Sequence, residues 1–598
     1  MSDKFQYFFL YLDVNFNLFM DMKIKPVKIR RWMEDHKIPP KALLLIMGVV
    51  STLWFLVRVI PKPARASYPC MRIAAPLMSG MLLYLLSIGG ATLAFRKART
   101  GILNGRYLLS GVFILCMVAL MLMSVTGSVH FLQAAASDYS GPEDGPNEPM
   151  GTPTGIKPGR VIWAWDPEAT NENCLNTFES KDYFFKPENT NQDVVRKMFR
   201  SSLLELTGES TVKGSWDALF RYHNKNKHKE NRGYKNGEKI FIKINQGTSR
   251  WLLTEEDKEN GYYFPEHFEP TPLRQRECYG ATETGPYFVL EILRELVNEC
   301  GIDQADISVG DPMTNIYGHN FDVWFAEFPE VAYLDKFATH HNRTMTKPTE
   351  EDYLFYSNKV IKDPLYDVII NADYMINVTN LKPHQAAGIS LSSKNHFGSQ
   401  GRPTAAHLHN YLITPRGAPG SNGGYQKYRV FVDIMGSKYL GKNTMIHIID
   451  GLFGGGSVET RVPVKYFMPP FNNDWCNSLF ISLDQVALES VCFDFLRSEW
   501  NGINAHNPAN NRMEKGPNIR GVDDYLHQAA DPSNWPEGIK YDPDNTGKPV
   551  GSLGVHEHWN NPVMKQYSVN LGTGKGIELV SIPDTLVKSV SSKRKGNR

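Results

Sequence analysis

Hydrophobic and polar positions divide the chain sharply. Three runs almost free of charge occupy 42–60 (ALLLIMGVVSTLWFLVRVI), 74–95 and 107–127, and each is about twenty residues long, enough to cross a hydrocarbon core of about 30 Å. Arg58 lies near the end of the first run and can reach the headgroups along its own methylene stem. Lys23, Lys25, Lys28, Arg30, Arg31, Lys37 and Lys41 precede that run, and Arg96, Lys97, Arg99 and Arg106 lie between the second and third. Positive charge stays inside, so both groups are expected in the cytoplasm. Lys62, Arg65 and Arg72 in the first connection weaken the contrast without reversing it. The expected layout is a cytoplasmic segment over 1–41, a three-helix membrane region over 42–127 in a bacterial inner membrane, and a periplasmic remainder. A long charged leader followed by further spans argues against a cleaved signal peptide. The apolar stretch 5–19 is broken by Asp13 and Asn15 and receives no span.

Beyond the third run the pattern changes period. Residues 128–159, dense in Gly, Pro, Ser and Asp from 134 onward, read as a linker. Short β-branched runs follow at 160–165, 239–245, 306–311, 367–373, 375–380, 445–450 and 478–484, with helical periodicity at 192–206, 283–299, 385–395 and 484–497. Strands joined by long crossovers pair in parallel. The expected fold class is therefore α/β, a mostly parallel sheet with helices on both faces, over 160–499. Residues 500–583 read as a loop-rich extension packed on that domain, and 584–598 as a basic mobile tail.

Composition narrows the partners. With 65 basic against 63 acidic residues there is no global positive field, which excludes nucleic acid as a partner. Five cysteines (Cys174, Cys278, Cys300, Cys476, Cys492) lie beyond the membrane region, widely spaced and without CxxC, so neither a zinc ribbon nor an iron–sulfur cluster is expected. GxxxxGK[ST] and GxSxG are both missing, which removes support for nucleotide hydrolysis and for an α/β-hydrolase.

Candidate chemistry follows from strand ends, where open α/β sheets bind ligands. The ends deliver Lys243 and Asn245, Asp311, Lys382 and His384, Asp450 and Asp484. Asp484 and Asp311 have a plainer role too, as a helix cap and a turn residue. The segment 380–398 brackets an expected helix with two Lys-x-His triplets: Lys382 and His384 before it, Lys394, Asn395 and His396 at its end. Within it Gly388, Ser392 and Asn395 would form a small polar stripe. Lys382, Lys394 and His384 are the catalytic candidates, the lysines as charge partners and the imidazole as acid or base. Lys243, Asn245, Asp311, Asn395, Asp450 and Gly455 are the ligand-binding candidates, Gly455 as part of a glycine run able to form an anion nest. His556 and His558 share one face of an extended segment, a usable metal-ligand spacing, and with Asp450 they are the metal candidates. His407 and His409 have the same spacing.

The segments GEKIFIKIN, ISVGDP, DVIINADYMINVTNLKPHQAAGISLSSKNHFG, IHIIDGLFGGG and SLFISLDQVALESVCFDFL, spanning about residues 190 to 500, resemble the family known as domain of unknown function 362. The resemblance implies an α/β domain of bacteria or archaea, in some members accompanied by ferredoxin-type cluster modules, with no generally established reaction. The cysteine runs of those cluster-bearing members are missing here. The anchor and GSLGVHEHWNNPVMKQYSVNLG look like those of larger exported members from anaerobic gut-type bacteria.

The leading expectation is a protein anchored in the bilayer whose exported domain binds an anionic or metal-associated small molecule, in a form compatible with an enzyme. Two alternatives stand beside it. One is a non-catalytic scaffold that meets an envelope protein through Trp500, Trp535, Tyr541, Trp559 and Tyr567. The other is a hydrolase or transferase that uses a divalent metal at His556 and His558.

Overall fold

The computed structural model describes residues 93, 95–100, 103–104, 110, 112–114, 144–177, 180, 182–249, 280–336, 342–384, 386–413, 424–456, 462–500 and 521–587. The chain divides into two compact units, Met1–Asp138 and Tyr139–Arg598. In the first, a helical turn at 95–100 ends with the Thr100 hydroxyl donating to the Arg96 carbonyl at 2.9 Å. Among the described residues no helix is long and apolar enough to cross a membrane. The cytoplasmic segment 1–41 and the span 42–60 lie outside the described residues, and 74–95 and 107–127 do so almost entirely.

Among the described residues a nine-stranded sheet organises the second unit. In chain order its strands are β1 (Arg160–Trp165), β2 (Ile240–Lys243), β3 (Ile307–Gly310), β4 (Ala332–Asp335), β5 (Thr344–Met345), β6 (Tyr374–Asn380), β7 (Thr444–Gly451), β8 (Ser478–Ser482) and β9 (Glu578–Ile582). The spatial order is β9-β1-β8-β7-β6-β2-β3-β4-β5. Every pairing is parallel except the two made by β8, so eight strands point one way and β8 runs against them. The sheet is mixed, and the α/β class holds.

Alternating side chains build two cores. Ile162, Ile242, Ile376, Val378, Ile446, Ile448 and Ile481 face one side. There they meet helices α1 (Gln192–Thr207), α2 (Val212–Lys227), α3 (Pro286–Arg294) and α4 (Gly318–Glu327). Trp163, Phe241, Met375, Ile449 and Phe480 face the other, against α5 (Val430–Gly436), α6 (Gln485–Glu499) and α7 (Val522–Ala530). This period of two, with both faces covered, is why the strands read as continuous apolar runs. α1 shows how local chemistry sets the boundaries. Asn191 accepts from the Val194 amide, Val195, Met198, Phe199, Leu203 and Leu206 turn inward, and Gly208 at φ 82° ends the helix in a left-handed turn.

The differences from expectation have local causes. The run 367–373 is a helical turn, Asp367–Ile370, because an Asp367 carboxylate oxygen accepts from the Val368 and Lys347 amides and folds the segment back on itself. The helix expected over 385–395 is a tight hairpin, Pro383–His384 against Gly388–Ile389, followed by a short helix Ser392–Asn395. Gly388 at φ 78° breaks the periodicity, so Gly388, Ser392 and Asn395 do not form one helical stripe.

Residues 144–159, linker-like in composition, are pinned: Met150 and Gly151 pair with His556 and Val555, and Gly151 sits where a Cβ would come within 2.4 Å of the Gly554 carbonyl. The region 500–583 is more than surface loop, since it contributes α7 and the edge strand β9. Its aromatic residues do not form a docking face: Trp500, Tyr541, Trp559 and Tyr567 are buried and Trp535 is partly buried against the core. Most of the expected mobile tail, 588–598, lies outside the described residues.

Candidate functional site

Adjacent parallel strands bring the first candidates together. Lys243 at the end of β2 and Asp311 just past β3 form an ion pair at 2.9 Å, with side-chain exposures of 0% and 3%. The Lys243 ammonium also donates to the Ile244 carbonyl at 2.6 Å and to Asn395 Oδ1 at 3.0 Å. Burial pulls its pKa below the usual lysine value, and Asp311 opposes that shift. The second Asp311 oxygen accepts from the Gln246 amide at 3.0 Å. Asn395 is a hub. Its amide donates to Asn377 Oδ1 at 2.7 Å, while its carbonyl oxygen accepts from Lys243 and, at 3.3 Å, from Asn245.

Lys382 joins the same network from the end of β6. Its ammonium donates to Asn245 Oδ1 at 2.7 Å and to the Thr282 carbonyl. Lys243, Asn245, Asp311, Lys382 and Asn395 are thus united at the carboxyl edge of β2, β3 and β6.

Glu283 completes this group and no reading of the sequence singles it out, since it stands at the start of the helical pattern 283–299 with no motif around it. It is buried, accepts from the Thr248 amide at 2.6 Å and the Thr248 hydroxyl at 2.9 Å, and Thr248 in turn meets the Tyr317 hydroxyl at 2.6 Å. Burial pushes the Glu283 carboxyl up to about 7, against the pull of the Lys382 charge and the Thr248 hydrogen bonds. A carboxyl poised near neutrality beside a lysine is suited to proton exchange.

Other candidates have different roles. His384 Nδ1 accepts from the Ala386 and Ala387 amides at 3.0 and 3.1 Å, which closes the hairpin turn and places the ring proton on Nε2. Burial, then the charges of Lys394 and Lys382, hold this imidazole well below its usual pKa. It is a neutral turn-former, poorly suited to acid–base work. The Lys394 ammonium lies over the Phe397 ring, 4.0 Å from its centre.

Gly455 forms no nest: its amide donates to the Leu381 carbonyl at 2.8 Å, and a Cβ there would meet the Lys382 Cβ at 2.3 Å. The glycine permits close packing against Lys382. Asp450, next to last in β7, lies at the start of α3, where it accepts from the Leu452 amide at 3.0 Å and from the Gly285 amide, and burial pushes it up to about 6. With Asn380, Phe184, Thr190 and Tyr287 it lines a small cavity with room for about one water. Asp484 follows the reversed strand β8, so it sits at the opposite edge of the sheet and caps α6 by accepting from the Ala487 amide.

His556 and His558 do share one face of an extended segment, with Glu557 turned the other way onto Ser568 and the Ile577 amide. They meet Asp144, Asp523 and His527, which no sequence motif links to them. Asp450 is not in that cluster. His407 and His409 do not act as a pair: His407 Nε2 meets Asp363 at 2.8 Å, and His409 Nδ1 donates to the Ala405 carbonyl at 2.8 Å. Cys174, Cys300, Cys476 and Cys492 are free thiols.

Fold and site together define a layered α/β protein with a buried lysine–carboxylate network at the carboxyl edge of its central strands. The family described as Domain of unknown function (DUF362) matches residues 275–494, and over that span the chain is similar to it. The matched span carries Glu283, Asp311, Lys382, His384, Lys394, Asn395, Asp450 and Gly455, while Lys243 and Asn245 precede it. No curated protein and no solved structure matches the chain.

Proposed function

We propose that the chain is a protein of the bacterial inner membrane, anchored through 42–60, 74–95 and 107–127, whose periplasmic α/β domain binds a small anionic molecule at the carboxyl edge of β2, β3 and β6. The observation that carries this reading is the convergence of Lys382 and Glu283 on the end of β6, bridged through Asn245 and Asn395 to Lys243. Lys382 supplies positive charge to the ligand. Glu283 holds or releases a proton near neutral pH, which makes the site compatible with an enzyme. Lys243 and Asp311 form the rigid floor.

Titrating the detergent-solubilised full chain with inorganic phosphate and, separately, acetate tests the reading. One of them is expected to raise the melting temperature of the wild type and to leave that of a folded Lys382→Met variant unchanged. If neither anion shifts the wild type, or if the variant responds equally, the site does not bind simple anions. A second reading, a non-catalytic scaffold in which this network only holds the fold together, is favoured by the complete burial of Lys243. It predicts loss of folded protein in Lys382→Met with no anion effect in the wild type.

A further inference from the structure

Away from the sheet edge, three separate segments bring imidazoles and carboxylates to one point. Asp144 comes from the segment ahead of β1. Asp523 and His527 come from one face of α7, four residues apart, and His556 and His558 come from an extended segment, two apart. Asp144, His527 and His556 offer ligand atoms mutually within 4.8 Å, as do Asp523, His556 and His558. His556 belongs to both groups. Asp144 Oδ2 lies 2.5 Å from His527 Nε2, 3.1 Å from His556 Nε2 and 3.8 Å from His558 Nε2, and His558 Nε2 lies 3.1 Å from Asp523 Oδ1.

Hydrogen bonding behind the rings fixes which nitrogens face inward. The Ser490 hydroxyl lies 2.7 Å from the Val486 carbonyl, a contact that takes its only proton, so at 2.8 Å it accepts from His556 Nδ1–H. His558 Nδ1 lies 2.8 Å from Asp494 Oδ1. Asp494 is itself held by Arg497 at 2.8 Å, the Trp559 amide and the Tyr567 hydroxyl. Ser490 and Asp494 stand one helical turn apart on α6 and orient both rings with Nε2 towards the carboxylates. Metal-bound histidines are oriented in this way, by a hydrogen bond from the other ring nitrogen. His527 Nδ1 has no such partner.

Charge points the same way. Asp144, Asp494 and Asp523 are three nearly buried carboxylates, and among the described residues Arg497, which also lies 3.5 Å from His558 Nε2, is the one permanent cation in contact with them. The remaining negative charge is compensated either by two protonated imidazoles or by one divalent cation. In the neutral form the His556 Nε2 lone pair would face a carboxylate oxygen, an arrangement that calls for a positive centre between them.

We infer that Asp144, His527, His556, His558 and Asp523 form a binding site for a divalent first-row transition ion of the zinc class, which ties the segment ahead of β1 to α7 and to the extended segment 555–558. Imidazole and carboxylate ligands with no thiolate suit zinc and its neighbours and disfavour copper(I). Separations of 2.5 to 3.8 Å between ligand atoms bracket the roughly 3.3 Å edge of a tetrahedron with zinc–ligand bonds of about 2 Å, which four of the five donors would fill.

The test uses the full chain in detergent, stripped with chelator, reloaded with zinc alone and desalted. About one zinc per chain is expected by mass spectrometry, with X-ray absorption showing nitrogen and oxygen neighbours and no sulfur. Cobalt loading is expected to give visible absorption bands. His527→Gln and Asp144→Asn should each lower retained zinc at least tenfold, while His407→Gln leaves it unchanged. A folded wild type that retains no zinc and gives no cobalt bands would overturn the inference in favour of a protonated histidine–carboxylate cluster. So would sulfur in the zinc shell, or zinc retention undiminished in both variants. The wild-type measurements decide the matter if a variant fails to fold.

Discussion

Lys243 and Asp311, one strand apart at the carboxyl edge of the sheet, make a fully enclosed ion pair at 2.9 Å. Removing one partner strands the other's charge in the interior, which costs about 3–5 kcal/mol. Lys243→Met is therefore expected to lower the unfolding free energy by that amount. The double variant Lys243→Met with Asp311→Leu should recover a large part of it. Denaturant titration of both variants checks this, and a double variant no more stable than the single one would show that the Asp311 bond to Gln246 outweighs the pairing.

Glu283 makes stability depend on pH in a stated direction. Its folded-state value is raised from 4.5 to about 7, so the folded protein holds the proton more tightly than the unfolded chain. This contribution is complete below about pH 4.5 and is lost as pH rises towards 7. Glu283→Gln mimics the protonated form and should flatten that part of the profile, by a few kcal/mol at most. Melting temperatures of wild type and variant from pH 4.5 to 8 measure it. Parallel profiles would mean that the carboxyl stays ionised.

Gly455→Ala tests the close approach to Lys382. The added methyl would meet the Lys382 Cβ at 2.3 Å and its Cα at 2.9 Å, so backbone must move. A loss of about 1–3 kcal/mol is expected, typical of overpacking. Under the proposed function any anion-induced rise in melting temperature should fall with it. If the glycine were instead an anion nest, stability would hold and only binding would suffer.

Much of the architecture could be read along the chain because buried strands and one-sided helices carry strong periodicity. RVIWAW is β1 residue for residue, and 192–206 and 484–497 match α1 and α6 within a few positions. Misreadings arose where local polar chemistry outweighed apolar pattern, as when Asp367 turned a β-branched run into a helical turn. The short edge strand β9 is not legible because Ser581 fills one of its two buried positions, so its inward alternation is not matched by alternating apolar residues.

The lysines and asparagines of the sheet edge could be anticipated because they terminate recognisable strands. Glu283 could not, since its meaning depends on Thr248, 35 residues away. Asp144 was still less accessible: it meets His527 across 383 positions.

The reversed strand and the late edge strand have a consequence for biogenesis. Of the sheet's nine strands β1 is made first, yet its two neighbours, β8 and β9, are the last two made, and the Arg160–Glu578 bond at its start spans 418 residues. Until residues 478–482 are available, Trp163 and the rest of β1 have no partner strand, which favours slow, late assembly of this side of the sheet and invites chaperone protection. Nascent chains truncated before residue 578 would carry this unfinished margin as an aggregation-prone edge.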